Sequence, residues 1–386
     1  MEATKFRVNT VDILRGLVMI IMALDHTRDF FHHGGDPSNL ATTTPILFFT
    51  RWITHFCAPV FVFLSGTSAF LSGRHKSKKL LSGFLLKRGL WLVLVELIVF
   101  NFLLTFNPMY TFLVVQVIWV IGISMIILAA VIWLPIPLIF TLGIILVFGH
   151  DLLDPLNFTG KVQAPLWWGL LHQQVFIPYG NGRIFGVLYP LIPWPGVMML
   201  GYCLGSLYRS DYPAKKRQQQ LFVGGLSAVI LFLVLRWSNL YGDPSLWTSQ
   251  RSAELTLISF FNTSKYPPSL LFLLMTLGPA LVLLSLLEHA KGRWTTIVSV
   301  YGRVPFFYFL FHFFVIHLTC MILFFVNGHT LAQANTGMLL FRPADFGYTL
   351  PVVYLLWIAL VLLMYPLCKS YGQYKAKHKH WWLSYL

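Results

Sequence analysis

Charge is what this 386-residue chain has least of. Asp, Glu, Lys and Arg together make up 11% of it, against 57% hydrophobic residues; a soluble domain is nearer 25% charged. That scarcity, with repeated apolar runs of about 20 residues, excludes a large soluble core and points to a polytopic membrane protein. A β-barrel is excluded as well, because it would show short alternating segments. Acidic residues are scarcer still, 13 against 28 basic, for a formal net charge of +15. The basic residues cluster in short connections between apolar runs, so they read as topology signals and not as a nucleic-acid surface. Cysteine is limited to Cys57, Cys203, Cys320 and Cys368. These lie in or at the ends of apolar runs without metal spacing, as small buried hydrophobes do. A Walker A loop, a Rossmann glycine pattern and an HExxH helix are missing, which removes sequence support for nucleotide or metal hydrolysis. No convincing internal repeat is visible, which weakens an inverted-repeat transporter. The first apolar segment is interrupted by charge and lacks a small-residue cleavage site, so it reads as a span and not as a cleavable signal peptide.

What is present is an all-α bundle forming one integral-membrane domain over 1–386. About ten spans are expected, near 11–31, 46–72, 84–106, 111–133, 138–149, 192–208, 219–240, 267–287, 296–326 and 347–367. Pro305 divides the ninth into an interfacial start and a spanning part. Gly201 and Gly205 in the sixth are spaced to let another helix approach closely. Two long connections, 150–190 and 241–266, carry aromatic residues such as Trp167, Trp168, Tyr179 and Trp247, suited to an interfacial belt and, secondarily, to stacking on sugars. Eighteen Lys and Arg, Lys5 and Arg7 among them, fall in one alternating set of connections and termini. Five, including Lys161 and Lys265, fall in the longer opposite set. The positive-inside rule therefore puts both termini in the cytoplasm.

The first span, VDILRGLVMIIMALDHTRDFF, is apolar enough to enter a bilayer yet carries Asp12, Arg15, Asp25, His26, Arg28 and Asp29. Such groups cost about 2.5–3.5 kcal/mol each on insertion scales, so they mark a functional site by default. Arg15 and His26 are eleven positions apart, which returns to nearly the same helix face about 16 Å further on. Asp12 can pair with Arg15 across one turn, and Asp29, three residues after His26, can orient it as a carboxylate orients a general base, whereas Asp25 points elsewhere on a straight helix. A structural polar cluster is the competing reading. Arg51 and His55 are one turn apart in the second span, and His55 is expected at a depth similar to His26, facing the same cavity. Lys87 and Arg88 open the third span, where they set topology and, with Arg15, form a cationic mouth for a phosphorylated cofactor. Glu96 is expected to pair with a buried cation, Arg236 or Arg303. His312, one turn beyond Tyr308, lines the cavity or bonds a neighbouring helix; His317 reads as structural.

The segments VDILRGLVMIIMALDHTRDFF, WITHFCAPVFVFLSGTSAFL, FNTSKYPPSLLFLLMTLGPAL and GRVPFFYFLFHFFVIH resemble a bacterial membrane-protein family related to heparan-α-glucosaminide N-acetyltransferase, the lysosomal enzyme. The spacing of Arg15 and His26 is also similar to the arginine–histidine signature of membrane O-acetyltransferases that modify bacterial surface polysaccharides. In those enzymes basic residues opening a following helix hold the acyl-CoA phosphate, a role the resemblance implies for Lys87 and Arg88. In the lysosomal enzyme the catalytic histidine lies between the first two spans, which brings in His32 and His33 beside His26 and His55.

The resemblance implies a multi-pass acetyltransferase of a bacterial inner membrane, with acetyl-CoA as co-substrate and no metal. Arg15, Lys87 and Arg88 would bind the cofactor. His26, with Asp25, Asp29 and His55, would carry the chemistry. Arg51, His32, His33 and His312 would meet a glycan or glycolipid acceptor from the far side. Its partners would be the lipid bilayer, acyl-CoA and the acceptor, with no nucleic acid, as a monomer or a homo-oligomer. The alternative is a proton-coupled transporter of small solutes using the same His, Asp and Arg groups as a relay.

Overall fold

A computed structural model describes residues 8–159, 163–334, 338–343 and 346–384; Lys5, Arg7 and Lys161 lie outside them. Among the described residues 69% are helical and 4% are in strands. Helix α1 (Asn9–Phe31) is followed by α2 (Pro45–Trp52), which starts on the Thr44 hydroxyl and a proline in its first turn. A 3₁₀ turn at Ile53–Phe56 leads into α3 (Cys57–Gly73). Ser77 caps α4 (Lys78–Val95), which passes through a π-helical turn at Glu96–Phe100 into α5 (Asn101–Thr105).

The fourth expected span is corrected here. Phe112–Val115 is a strand, β1, and α6 begins only at Val117 (Val117–Val131). Phe106 and Tyr110 take left-handed backbone, which an L-residue helix does not continue through. The β-branched and aromatic run FLVV then suits a strand. After α7 (Ile136–Gly149), the first long connection is folded and not merely looped: it holds α8 (Leu166–Leu171), β2 (Val175–Pro178) and β3 (Ile184–Val187). The sheet order is β1-β3-β2, with Phe112 opposite Ile184 in a parallel pair and Val175 opposite Val187 in an antiparallel one. Trp168, Val175 and Val187 make a small core under this sheet.

The remaining helices are α9 (Trp194–Gly205), α10 (Ala214–Ser238), α11 (Ala253–Phe261), α12 (Leu270–Leu287), α13 (Arg293–Arg303), α14 (Pro305–Val326) and α15 (Leu350–Lys377). The break between α13 and α14 falls at Val304, where Pro305 denies a backbone donor. Among the described residues seven helical stretches are long and apolar enough to cross a membrane: Pro45–Gly73, Lys78–Thr105, Ile136–Leu156, Ala214–Ser238, Leu270–Leu287, Pro305–Val326 and Leu350–Lys377. α1 matches them in length but carries its charges inside the bundle.

Close approach of backbones holds the centre together. A Cβ on Gly201 would lie 1.9 Å from the Phe63 carbonyl oxygen, and one on Gly302 would lie 1.9 Å from that of Asp12. α9 therefore meets α3, and α13 meets α1, without a side chain between them. In lipid, where apolar side chains gain little by leaving their surroundings, such dispersion contact is what brings helices together.

Candidate functional site

α1 is the element from which the site is built, because neighbouring elements supply partners for its Arg15, Asp25 and His26 side chains. Near its start Arg15 donates to Asp12 Oδ1 at 3.0 Å, the Gly302 carbonyl at 3.0 Å and Ser68 Oγ at 2.7 Å. Eleven residues on, His26 meets α14. Both side chains thus face the α13–α14 segment, as helical spacing dictates.

Asp25 points the other way, into a cluster of cations. Nη1 of Arg51 lies 2.6 Å from both carboxylate oxygens, and Nη2 of Arg28 lies 2.9 Å from Oδ1. Lys265 Nζ stands further off, 3.9 Å from Oδ2. Asp29 pairs with Arg28 at 2.5 Å and its side chain is half exposed. Three cations therefore share two carboxylates, one of them facing outward.

His26 Nδ1 lies 2.7 Å from His312 Nε2. His312 is fully buried, and its Nδ1 lies 2.9 Å from the Tyr308 carbonyl oxygen one turn earlier. A carbonyl only accepts, so His312 Nδ1 carries the proton and its Nε2 is the acceptor in the neutral ring. His26 Nδ1–H then donates to it, and Nε2 of His26 is left with its lone pair. This tautomer is assigned from the hydrogen-bond network. Phe313, with its ring centroid 4.2 Å from that of His26, and Phe309 pack the ring in place.

His26 is only partly buried, because it lines a cavity of about 40 Å³ together with Asp25, Thr54, Cys57, Tyr189 and Lys265. One water needs about 10–15 Å³ on this measure, so the space fits a few waters or a two-carbon acyl group but no long chain. Tyr189 and Tyr266 are hydrogen-bonded through their hydroxyls. Burial works against a Tyr266 phenolate, but Lys265 and Arg51 beside it outweigh that and hold its pKa below the ordinary phenol value.

The loop that delivers Lys265 is fixed on every side. Asp243 accepts from Ser264 N at 2.9 Å, Ser264 Oγ at 2.9 Å and Ser269 Oγ at 2.7 Å. Burial raises the Asp243 pKa, against the pull of those bonds. Arg236 donates to the carbonyls of Phe260, Ser245, Ser259 and Asn262. His150 Nε2 donates to the Pro268 carbonyl at 2.7 Å.

Several expected placements are corrected. The histidine facing His26 is His312 and not His55, whose buried ring packs on Phe272 of α12. The cause is the 3₁₀ turn Ile53–Phe56: at three residues per turn, Arg51 and His55 no longer share a face. Neither Asp25 nor Asp29 orients His26; their carboxylates are taken up by Arg28 and Arg51. Arg51 is thereby bound to Asp25. Glu96 meets no arginine expected for it, since its Oε1 accepts from Gln116 N at 2.7 Å at the start of α6. The stripe between Arg15 and His26 is filled by buried Val18 and Met19, so the helix face joining the cationic end to the imidazole is packed.

Lys87 is exposed, and Arg88 lies 6.0 Å from the Phe84 ring. His32 closes the end of α1, with Nδ1 3.1 Å from the Tyr348 carbonyl oxygen, and exposed His33 stacks on it. Tyr189 carried no signal of its own in the sequence. For Lys265 there was one faint hint, a lone lysine among the apolar residues of FNTSKYPP.

The chain compares with known proteins as follows. The family model described as heparan-alpha-glucosaminide N-acetyltransferase, catalytic, matches residues 7–240. That stretch contains Arg15, Asp25, His26, Arg51 and Tyr189, and ends before Lys265 and His312. No curated relative matches the sequence.

Proposed function

Because the chain belongs to the heparan-alpha-glucosaminide N-acetyltransferase catalytic family, whose members are membrane acetyltransferases, we propose that it transfers an acetyl group from acyl-CoA to a glycan or glycolipid, with His26 as general base. The observation that carries this reading is the 2.7 Å contact of His26 Nδ1 with His312 Nε2, which leaves Nε2 with its lone pair in a ring that lines the cavity. A positioned histidine of this kind contributes about 10²–10⁴-fold to a proton-transfer step.

Nε2 takes the proton of an acceptor hydroxyl or amine as that atom attacks the thioester carbonyl. When the C–S bond breaks, the imidazolium returns the proton to the CoA sulfur. His312 stays neutral throughout and holds the ring by accepting from Nδ1–H. Asp25, Arg28 and Arg51 fix the flank of the site. On the donor side Arg15, Lys87 and Arg88 serve the CoA phosphates, for which the planar guanidinium is suited. The basic connections support a cytoplasmic donor side with the acceptor on the far side, and the resemblance to bacterial membrane proteins is the ground for a bacterial inner membrane. A pantetheine arm exceeds the 40 Å³ cavity, so α1 and its neighbours part to admit it. The family match favours this reading over a proton-coupled transporter.

The test gives purified protein in lipid nanodiscs [14C]acetyl-CoA with and without a membrane glycan extract. Label on the glycan and release of free CoA are expected, both lost in His26→Ala. Solute counterflow in proteoliposomes with no covalent change would overturn the enzyme reading.

A further inference from the structure

We infer that Lys265 is a catalytic residue of this site, its ammonium binding the thioester carbonyl oxygen and holding the negative charge that develops there. The inference rests on the acyl-transfer reading above and adds to it the group opposite the base.

Three observations carry it. Lys265 lines the same cavity as His26. Its side chain is only 10% exposed, yet among the described residues its ammonium donates no hydrogen bond: Asp25 Oδ2 lies at 3.9 Å, and the Tyr266 ring centroid at 5.2 Å. A lysine has three donors, and at Lys265 they are left for whatever occupies the cavity, water or a bound carbonyl oxygen. Arg51 and Arg28 take the near positions on the Asp25 carboxylate, and Lys265 stands back from it at 3.9 Å.

The second point is charge. Lys265, Arg28 and Arg51 face Asp25, and Asp29 pairs with Arg28. The cluster is one positive charge in excess. In a poorly solvated site such an excess favours whatever species brings a negative charge. The third point is rigidity. Asp243 grips Ser264 and Ser269 on either side of Lys265, and His150 holds Pro268. A donor held in advance costs no reorganisation when charge appears, which is the condition for electrostatic catalysis.

The step balances without another reactant. The acceptor atom bonds to the carbonyl carbon while its proton passes to His26 Nε2. The carbonyl π pair moves onto oxygen, against the Lys265 ammonium. Collapse restores the C=O bond, breaks C–S, and the proton on His26 goes to the CoA sulfur.

The experiment compares wild type, Lys265→Met and Lys265→Arg in nanodiscs, following CoA release from acetyl-CoA with water or glycan extract as acceptor, and the melting temperature of each. Lys265→Met is expected to lower kcat about 100-fold or more, the scale of losing one oxyanion donor, with KM for acetyl-CoA within about threefold of wild type. It is expected to melt no lower than wild type, because it removes an unmatched cation. Lys265→Arg, which keeps the charge, is expected to retain more kcat than Lys265→Met. If wild type turns over and Lys265→Met keeps kcat within about threefold, this inference is overturned and the acyl-transfer reading stands. A Lys265→Met that melts well below wild type while Lys265→Arg loses as much activity shows a structural lysine and also overturns it. No CoA release from wild type at all removes the acyl-transfer reading, and the inference with it.

Discussion

His26 Nδ1 and His312 Nε2 stand 2.7 Å apart although 286 residues separate them in the chain. The Tyr308 carbonyl fixes His312 as acceptor toward His26, so one backbone oxygen on α14 decides which nitrogen of a ring on α1 is basic. A carboxylate in that place would also draw positive charge onto the ring; a neutral imidazole sets the tautomer without doing so.

His312→Phe keeps the ring volume and removes the acceptor. CoA release is expected to fall by about 10²–10⁴-fold, the contribution of a positioned base. His312→Gln, whose Oε1 can accept from Nδ1–H, is expected to recover part of it. A thiol assay on nanodisc samples reads both, and a His312→Phe protein as active as wild type would refute the dyad.

Asp25→Asn leaves Arg28, Arg51 and Lys265 without their shared carboxylate. Stranding buried charge in this way costs about 3–5 kcal/mol. The expected result is a large drop in melting temperature by fluorescence-detected gel filtration. Adding Arg51→Met, which removes one stranded cation, is expected to regain part of the loss. Equal melting of Asp25→Asn and wild type would show that Asp25 is not the hub of the cluster.

Glycine positions separate packing from propensity. A Cβ on Gly302 collides with the Asp12 carbonyl, whereas one on Gly83 meets nothing within 4 Å. Gly302→Ala is expected to destabilise by about 1–3 kcal/mol or more, and Gly83→Ala, in the interior of α4, to stabilise by about 0.5–1 kcal/mol. Thermal melts of the two single variants check the pair; the reverse order would contradict the α1–α13 contact.

His32 gives a pH dependence with a definite sign. Burial holds its pKa below the ordinary 6.5, so the unfolded chain takes the proton first as pH falls. Its contribution to stability is complete above about pH 6.5 and is lost on acidification below that. The melting-temperature advantage of wild type over His32→Gln is therefore expected to shrink between about pH 7.5 and pH 5. An advantage that grows over that range would reverse the assignment.

The sequence carried the bundle because apolar runs, prolines and basic connections act locally. Pro305 ends one helix and starts another through its own missing donor, and Asp12 reaches Arg15 within one turn. Gly201 was legible for the same reason, as a small residue on an apolar helix. What was not legible depends on partners far along the chain. β1 required β3, seventy residues later. His55 was misplaced by a 3₁₀ turn that composition does not mark. The orientation of His26 could not be read from its own helix, where Asp25 and Asp29 were the natural candidates, because Arg28 and Arg51 claim those carboxylates. Lys265 reads as one basic residue in a loop until Asp243, Arg236 and His150 are seen to aim it.

The central claim is that the cavity beside His26 receives the acyl group. It is tested most directly by determining the structure of the protein in nanodiscs with a non-reactive thioether analogue of acetyl-CoA. The account predicts the two-carbon end of the analogue in this cavity, leaving room for an acceptor atom about 3–3.5 Å from it and within hydrogen-bond reach of His26 Nε2, with the helices between Arg15 and His26 parted along the pantetheine arm. An analogue bound elsewhere, with Val18 and Met19 still buried between Arg15 and His26, would contradict it.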